Sequence, residues 1–419
     1  SRPPHTAKSE NTTMGKAKLA MTQHTLVANA RTQEAVRKQK VLRIIGRLNV
    51  GGPAIHTVLL TDKLDPRRYE TILVTGTEGE TEGSMRYLAD ERGITPFVIP
   101  EMGREISFRE DLTALWKLIR LIQREKPDII HTHTAKAGFL GRIAAICTGR
   151  RKRLYHTFHG HVFHSYFGER KTRAFIKIEQ FLGRRTDRII AVSDRTRDEL
   201  LGYEIADAKK IIVVPLGLDL EPFARCEEHG DAFRRELGVS SDEILIGIVA
   251  RLVPVKDIPN FLAAAKLVCT QIPNARFVIV GDGELRAALE AEARELSLGD
   301  CIIFAGYRRD LSRIYAGLDL VVLSSLNEGL PVSLIEAMSC AKVAISTSVG
   351  GVPNLLTEGE TGFLCPPADS QALADKIVVA ISQRDRWAEI GANARQYALS
   401  RYNIDRLVMD IERLYADTH

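Results

Sequence analysis

The chain has 419 residues, 45% apolar and 26% charged, a length that calls for two or three domains and the composition of an ordinary soluble globular protein. Its formal charge of +5 is local: residues 1–40 hold eight Lys or Arg against two Glu, so the remainder sums to −1 and carries no nucleic-acid footprint. No apolar run approaches the roughly 18 residues that span a bilayer, and the six cysteines, with no C-x-x-C pair, fit small buried hydrophobes in a reducing cytoplasm.

Residues 1–40 show no helical or strand period. The apolar stretch "LAMTQHTLVANA" is interrupted by Thr22, Gln23 and His24, so a secretory signal is not expected and the segment reads as a disordered basic tail. From Val41 onward, strand candidates "VLRIIG", "ETILVTG", "TPFVIP", "PDIIHTH", "RLYHTF", "DRIIAVS" and "KKIIVVP" alternate with helical segments such as "FREDLTALWKLIRLIQREK" and "AGFLGRIAAICTG". A second series follows: "EILIGIVA", "RFVIVG", "CIIFAG", "LDLVVLSS", "KVAISTS" and "TGFLCP". Continuous apolar strands between helices indicate parallel sheets covered on both faces. The expected architecture is α/β, two doubly wound, Rossmann-like domains facing a cleft. Their seam lies in "PLGLDLEPFARCEEHGD", giving domains at 41–218 and 219–400 and a last helix, 401–419, returning to the first. Ligands of such sheets sit outside the carboxyl ends of the strands.

The loops at that edge carry the chemistry. In "LNVGGPAIH", Gly51 and Gly52 precede a helix whose free N–H groups suit an anion. "HTHTAKAG" brings His131, His133 and Lys136 to a strand end, and "YHTFHGHVFHSYF" adds His156, His159, His161 and His164. A zinc site is not expected from them, because no His-Glu-x-x-His or cysteine partner accompanies them. "IVARLVPVKDIPN" places Arg251 and Lys256 in one loop, a fork and a point charge suited to a diphosphate. "IVGDGELRAAL" starts a dinucleotide fingerprint at Gly281 and Gly283 but has Arg286 at the third glycine, leaving a glycine-lined wall or a plain turn. In "NEGLPVSLIEAM", Pro331 marks a helix start, which leaves Glu328 in the loop, Glu336 inside the helix, and the Val332 and Ser333 N–H groups open to an anion. Glu336 could then accept hydrogen bonds from a vicinal diol. Two such glutamates also fit glycoside hydrolysis by an acid and a nucleophile, which leaves the phosphate-type loops unexplained.

Together, "ARLVPVKD", "VGDGELR", "NEGLPVSLIEAM" and "GGVPNLLTEGETGFL" resemble the retaining glycosyltransferases of family four, which have the GT-B fold. "PDIIHTHTAKAGFLGRIAA", "HTFHGHVFHSYF" and "DRIIAVSD" resemble the amino-terminal domains of its bacterial members, so the likeness runs from Val41 to the end. The resemblance implies transfer of a sugar from a nucleotide-diphosphate donor, UDP being the commoner choice. It implies Arg251 and Lys256 on the diphosphate, Glu336 on the ribose, and Glu328 beside the transferred sugar. Gly329, Leu330, Pro331 and Val332 would supply backbone contacts, and Gly52 and Gly281 would line the donor. Tyr307 and Arg308 fall in the nucleobase loop, and His159 lies near sugar and acceptor, with His133 and Lys136 on the acceptor side. No cofactor is implied and, with no Asp-x-Asp motif, no metal. Retention in this family is often attributed to same-face attack assisted by the leaving phosphate. Asp257 and Pro259 depart from the pattern, since relatives often have glycine after the lysine.

The acceptor is expected to be a glycan or a lipid-linked glycan. The basic "GRRKRLYH" and the amphipathic "GERKTRAFIKIEQFLGRRTDR" suit peripheral contact with an anionic membrane on its cytoplasmic side. Alternatives are a nucleotide-sugar epimerase, which needs no acceptor, and a non-catalytic nucleotide-sugar-binding protein, indifferent to loss of Glu328.

Overall fold

The computed structural model describes residues 37–79, 83–103, 107–149, 153–160, 169–226 and 230–417. Most of the expected basic tail, the run Arg150–Lys152, and His161 and His164 lie outside them. Of the tail, Gln39 and Lys40 already belong to a strand, so the boundary expected at 40 falls two residues late.

Among the described residues thirteen strands form two sheets, and all their strand pairings are parallel. The first contains β1 (Gln39–Ile44), β2 (Tyr69–Thr75), β3 (Phe97–Val98), β4 (Ile129–His133), β5 (Arg153–Phe158), β6 (Arg188–Ala191) and β7 (Ile211–Val213). Their order is β3-β2-β1-β4-β5-β6-β7. The second contains β8 (Ile244–Val249), β9 (Ala275–Val280), β10 (Ile302–Gly306), β11 (Leu320–Leu323), β12 (Val343–Thr347) and β13 (Gly362–Cys365), ordered β10-β9-β8-β11-β12-β13. The strands are apolar throughout because helices cover both faces: β4 is buried at every position and β8 at all but its last. In each sheet the winding reverses once, between β1 and β4 and between β8 and β11. Those reversals open the crevices in which such folds bind ligands.

The chain crosses between domains twice, and the two crossings pair. Leu218 N–H donates to the Tyr402 carbonyl at 2.8 Å and Ile404 N–H to the Leu218 carbonyl at 2.9 Å. Arg406 caps the Pro215 and Leu216 carbonyls at 2.8 Å each. The last helix, Ile404–Ala416, lies on the first sheet, where Leu407, Ile411 and Tyr415 are buried against Val41, Ile129 and Tyr155. Each such side chain contributes about 1.5–3 kcal/mol of gross burial. The Tyr415 hydroxyl bonds to His131 Nδ1 at 2.6 Å, and Arg153 donates to the Tyr415 carbonyl. Arg153, grouped in the sequence with a basic surface run, is therefore a structural tie. The cysteines also differ from expectation: Cys269 and Cys301, 32 residues apart, form a disulfide at the edge of the second domain.

Candidate active site

The four strands that flank the two reversals deliver most of the candidate residues. From β8 the chain enters the loop of Arg251 and a short 3-10 turn, Pro254–Lys256. From β11 it enters the loop Ser324–Leu330. The two loops are stitched together: Leu326 N–H donates to the Val255 carbonyl at 2.9 Å, and Ser324 Oγ to the Lys256 carbonyl at 2.9 Å. Across this seam Lys256 Nζ meets Glu328 Oε1 at 2.5 Å, and Ser325 Oγ donates to the same oxygen at 2.6 Å. Both charged groups are mostly shielded, with side chains 17% and 10% exposed, so the pair is held in place rather than solvated. Arg251 is exposed and makes no side-chain hydrogen bond or ion pair among the described residues. One cation is thus neutralised by a carboxylate and its neighbour is left with open valence for an anion.

Asp257 follows Lys256 in the left-handed region, at φ 47°. This accounts for the departure noted above: the backbone there suits glycine, and aspartate is among the few other residues that tolerate it. Gly350 and Gly351 support Glu328 from behind. A Cβ at Gly350, itself at φ +55°, would stand 1.6 Å from the Glu328 carbonyl oxygen, and one at Gly351 would stand 2.0 Å from that of Gly329.

The helix after the loop runs Val332–Ser339, one residue later than expected, with Pro331 as its N-cap. The Pro331 carbonyl takes the Leu334 and Ile335 N–H groups, which leaves those of Val332 and Ser333 outside the helix's own ladder. Opposite stands another helix start. Gly52 opens the helix Gly52–Lys63, and a Cβ there would lie 3.3 Å from Val332 Cγ2. Two helix N-termini therefore face each other across the cleft, concentrating positive potential between them. Glu336, one turn on, is 8% exposed; Oε2 accepts from the Tyr315 hydroxyl at 3.1 Å, and burial pushes its carboxyl up to about 7. Oε1 has no donor among the described residues.

On the other wall His159, the residue after β5, lies opposite Gly329. His159 Nε2 and His133 Nδ1 are 3.0 Å apart, and burial lowers His159 to about 4, so the ring is neutral at physiological pH. His133 is fully buried and backs His159 instead of reaching an acceptor directly. His56, which the sequence reading missed, completes the cluster: it is 1% exposed and neither ring nitrogen has a hydrogen-bond partner among the described residues. One nitrogen from each of His56, His133 and His159 falls within a 4.8 Å span. Among the described residues no carboxylate joins this group, and burial, helped by the neighbouring rings and Arg43, lowers His56 and His133 well below the ordinary imidazole value. Neutral imidazoles can both donate to and accept from the hydroxyls of a ligand.

Three expected residues are held elsewhere. The guanidinium of Arg308 is clamped by Glu236 at 2.5 Å and Asp310 at 2.7 Å, so the nucleobase loop offers Tyr307, half-exposed, and not that side chain. Lys136 pairs with Asp111 at 2.7 Å and points to the neighbouring helix. Gly281 is glycine for a backbone reason, since a Cβ would sit 1.8 Å from the Ala250 carbonyl oxygen. The domains touch beyond the site too: Arg195 donates to the Gly350 carbonyl at 2.9 Å, and the Arg309 guanidinium lies 4.2 Å from the Tyr87 ring centroid.

Residues 50–222 match the family model described as Glycosyltransferase Family 4, and residues 230–397 the one described as Glycosyl transferases group 1. A UDP-Gal:alpha-D-GlcNAc-diphosphoundecaprenol alpha-1,3-galactosyltransferase of Escherichia coli is 33% identical over 79% of this chain and 85% of its own. The capsular polysaccharide biosynthesis glycosyltransferase CapM of Staphylococcus aureus is 28% identical over 76% and 84%. Among solved structures, Anabaena HepE in complex with UDP superposes with a TM-score of 0.76 at 22% identity, covering 90% of this chain and all of that one.

Proposed function

The chain belongs to glycosyltransferase family four, with the GT-B fold, and from that premise we propose that it moves a sugar, with retention of configuration, from a UDP-sugar to a glycan or lipid-linked acceptor in cell-surface polysaccharide or glycolipid synthesis. UDP is favoured because the Escherichia coli relative is named for UDP-Gal and the Anabaena structure holds UDP. The observation that carries the reading is the pairing of one neutralised and one open cation, Lys256 and Arg251, beside two opposed helix N-termini.

The chemistry follows from charge. As the sugar–phosphate bond lengthens, negative charge grows on the diphosphate and positive charge on the anomeric carbon. Arg251, Lys256 and the Val332 and Ser333 N–H groups stabilise the first, since preorganised donors placed where charge grows lower the barrier most. Glu328, held by Lys256 and Ser325, offers its carboxylate on the sugar side, where it binds hydroxyls and faces the cation-like carbon. Gly329, Leu330, Pro331 and Val332 supply the backbone lining. Glu336 Oε1 takes the ribose diol. The Tyr307 loop borders the base. His159, neutral and backed by His133, orients a sugar or acceptor hydroxyl. No step calls for a divalent ion. No helix among the described residues is long and apolar enough to cross a membrane; the enzyme acts on the cytoplasmic face, touching an anionic bilayer peripherally.

Calorimetric titration with UDP, GDP and ADP in the absence of metal tests the donor class. Selective UDP binding that is lost in Glu336→Ala is the expected result. Absence of binding to any nucleotide, or donor conversion that needs no acceptor, would overturn the reading.

A further inference from the structure

Four histidines of the first domain are buried, His56, His131, His133 and His156, and they divide by their partners. His131 joins the Tyr415 hydroxyl at 2.6 Å and the Thr157 hydroxyl at 2.8 Å, and His156 Nδ1 meets the Thr132 hydroxyl at 2.8 Å. Those two are core rings with core partners. His56 has no partner at either nitrogen, and His133 none at Nε2, among the described residues. Buried polar atoms are nearly always paired, so such orphans point to a bound species. Both rings that carry them lie against His159 at the floor of the cleft.

Each ring is set by a different element: His56 by the helix Gly52–Lys63, His133 by the end of β4, and His159 by the turn just after β5. The His56 ring stands edge-on to those of His159 and His133, with centroids 5.0 and 5.8 Å away. His133 Nδ1 and His159 Nε2 are 3.0 Å apart. Two nitrogens bound to one tetrahedral zinc at about 2.0–2.1 Å are separated by about 3.4 Å, so this pair already has nearly that spacing. One nitrogen from each ring falls inside a 4.8 Å span, and an inward shift of about 1 Å brings all three to bonding distance. Among the described residues no other three His, Cys, Asp or Glu side chains converge in this way. His159, the least buried of the three, faces the Gly329 loop, which leaves a fourth position on the cleft side.

We propose that His56, His133 and His159 form a site for a divalent transition-metal ion, zinc foremost, and that the ion bound there inhibits transfer by taking His159 away from the hydroxyl it orients. The site stands on the three rings alone; its inhibitory effect rests on the reading of the chain as a transferase. Donor chemistry selects the ion. Imidazole nitrogen suits zinc, nickel and copper, whereas magnesium and calcium need oxygen ligands, and among the described residues no carboxylate joins the cluster. Buried Arg43, whose guanidinium lies 3.3 Å from the Tyr415 hydroxyl, opposes any cation held by charge alone. Ions bonded to nitrogen remain. Three protein ligands with a fourth position open make an exchangeable site, in contrast to the closed four-ligand structural kind. The ion takes no part in leaving-group departure, because the diphosphate faces Arg251 and the helix N-termini while the rings lie on the opposite wall. The ligands come from three elements far apart in sequence, so no local spacing motif announces them.

The test titrates the chelator-treated full chain with zinc chloride, with magnesium chloride, and with cobalt chloride as a spectroscopic probe. One zinc per chain is expected, not displaced by magnesium, and cobalt should give the intense visible bands of a four-coordinate ion. His56→Ala should weaken zinc binding at least about 100-fold, since losing a residue that merely orients a ligand already costs about 10–100-fold. His159→Ala, at a less buried position, is the second ligand deletion, and thermal melting shows which variant is folded. No stoichiometric zinc, equal binding of magnesium, the weak spectrum of six-coordinate cobalt, or zinc binding retained by a folded variant would each overturn the site. Zinc should also slow transfer by the parent chain, reversibly with chelator, and leave His56→Ala transfer unaffected; zinc bound with transfer unchanged would overturn the inhibitory role. The two readings fail separately: transfer without zinc binding refutes only the metal site, and zinc binding by a chain that transfers no sugar refutes only the enzyme.

Discussion

Arg251→Ala separates catalysis from folding more cleanly than any other change at the site. The side chain is exposed and unpaired among the described residues, so its removal is expected to leave stability within about 0.5 kcal/mol. Its catalytic share is larger. A cation about 4 Å from a unit negative charge is worth about 4 kcal/mol at an effective dielectric near 20. Lys256 and the helix N–H groups share the same charge, which brings the expected loss to about 2–4 kcal/mol, the scale of one preorganised donor. That is a fall of about 30- to 1,000-fold in kcat/KM. The assay is initial-rate transfer from the nucleotide sugar, run beside thermal unfolding of the same preparations. A donor with an aryl leaving group in place of the diphosphate supplies the control, because the defect should shrink when there is no diphosphate to stabilise. An unchanged kcat/KM, or a defect of equal size with the aryl donor, would refute the assignment.

Three further changes probe other parts of the molecule. The Glu336 carboxyl has its folded pKa raised to about 7, above the ordinary carboxyl value, so its contribution to stability is full below about pH 4 and is lost as pH rises through about 7. Glu336→Gln should remove that slope, at most about 3 kcal/mol in urea titrations across the interval, and should also remove the part of UDP affinity that rises with pH as the carboxylate forms. Glu179→Ala leaves the buried Arg142 guanidinium without its anion and is expected to destabilise the first domain by about 3–5 kcal/mol in chemical denaturation. Gly350→Ala drives a methyl into the Glu328 carbonyl at a left-handed position; a loss of about 2–4 kcal/mol is expected, with kcat falling even at temperatures where the variant stays folded.

The strands were legible because apolar, β-branched runs between turn signals have few other uses, and the seven and six candidates are the strands observed. The Glu328–Glu336 loop was legible through Pro331, displaced by one position because proline here caps the helix and does not begin it. What failed to show were partners far apart in sequence. Arg308 reads as a free cation until Glu236, 72 residues away, is seen to hold it. His56 sits in an apolar helix, where nothing local distinguishes a core ring from one that faces a site. Ser325 stands three residues before Glu328, but only the folded loop shows it donating to the carboxylate.

The pairing of Tyr415 with His131, 284 residues earlier, also sets an order of events during synthesis. The first sheet is complete once β7 has left the ribosome, yet the groove over Val41, Ile129 and Tyr155 stays open to water until the final helix arrives. At ordinary elongation rates that interval is on the order of 10–40 s, during which the nascent first domain exposes an apolar groove and the second has time to fold. The N-terminal half is therefore the last to reach its finished form, and a ribosome that stalls late releases a product in which the damaged domain is the one that was translated first.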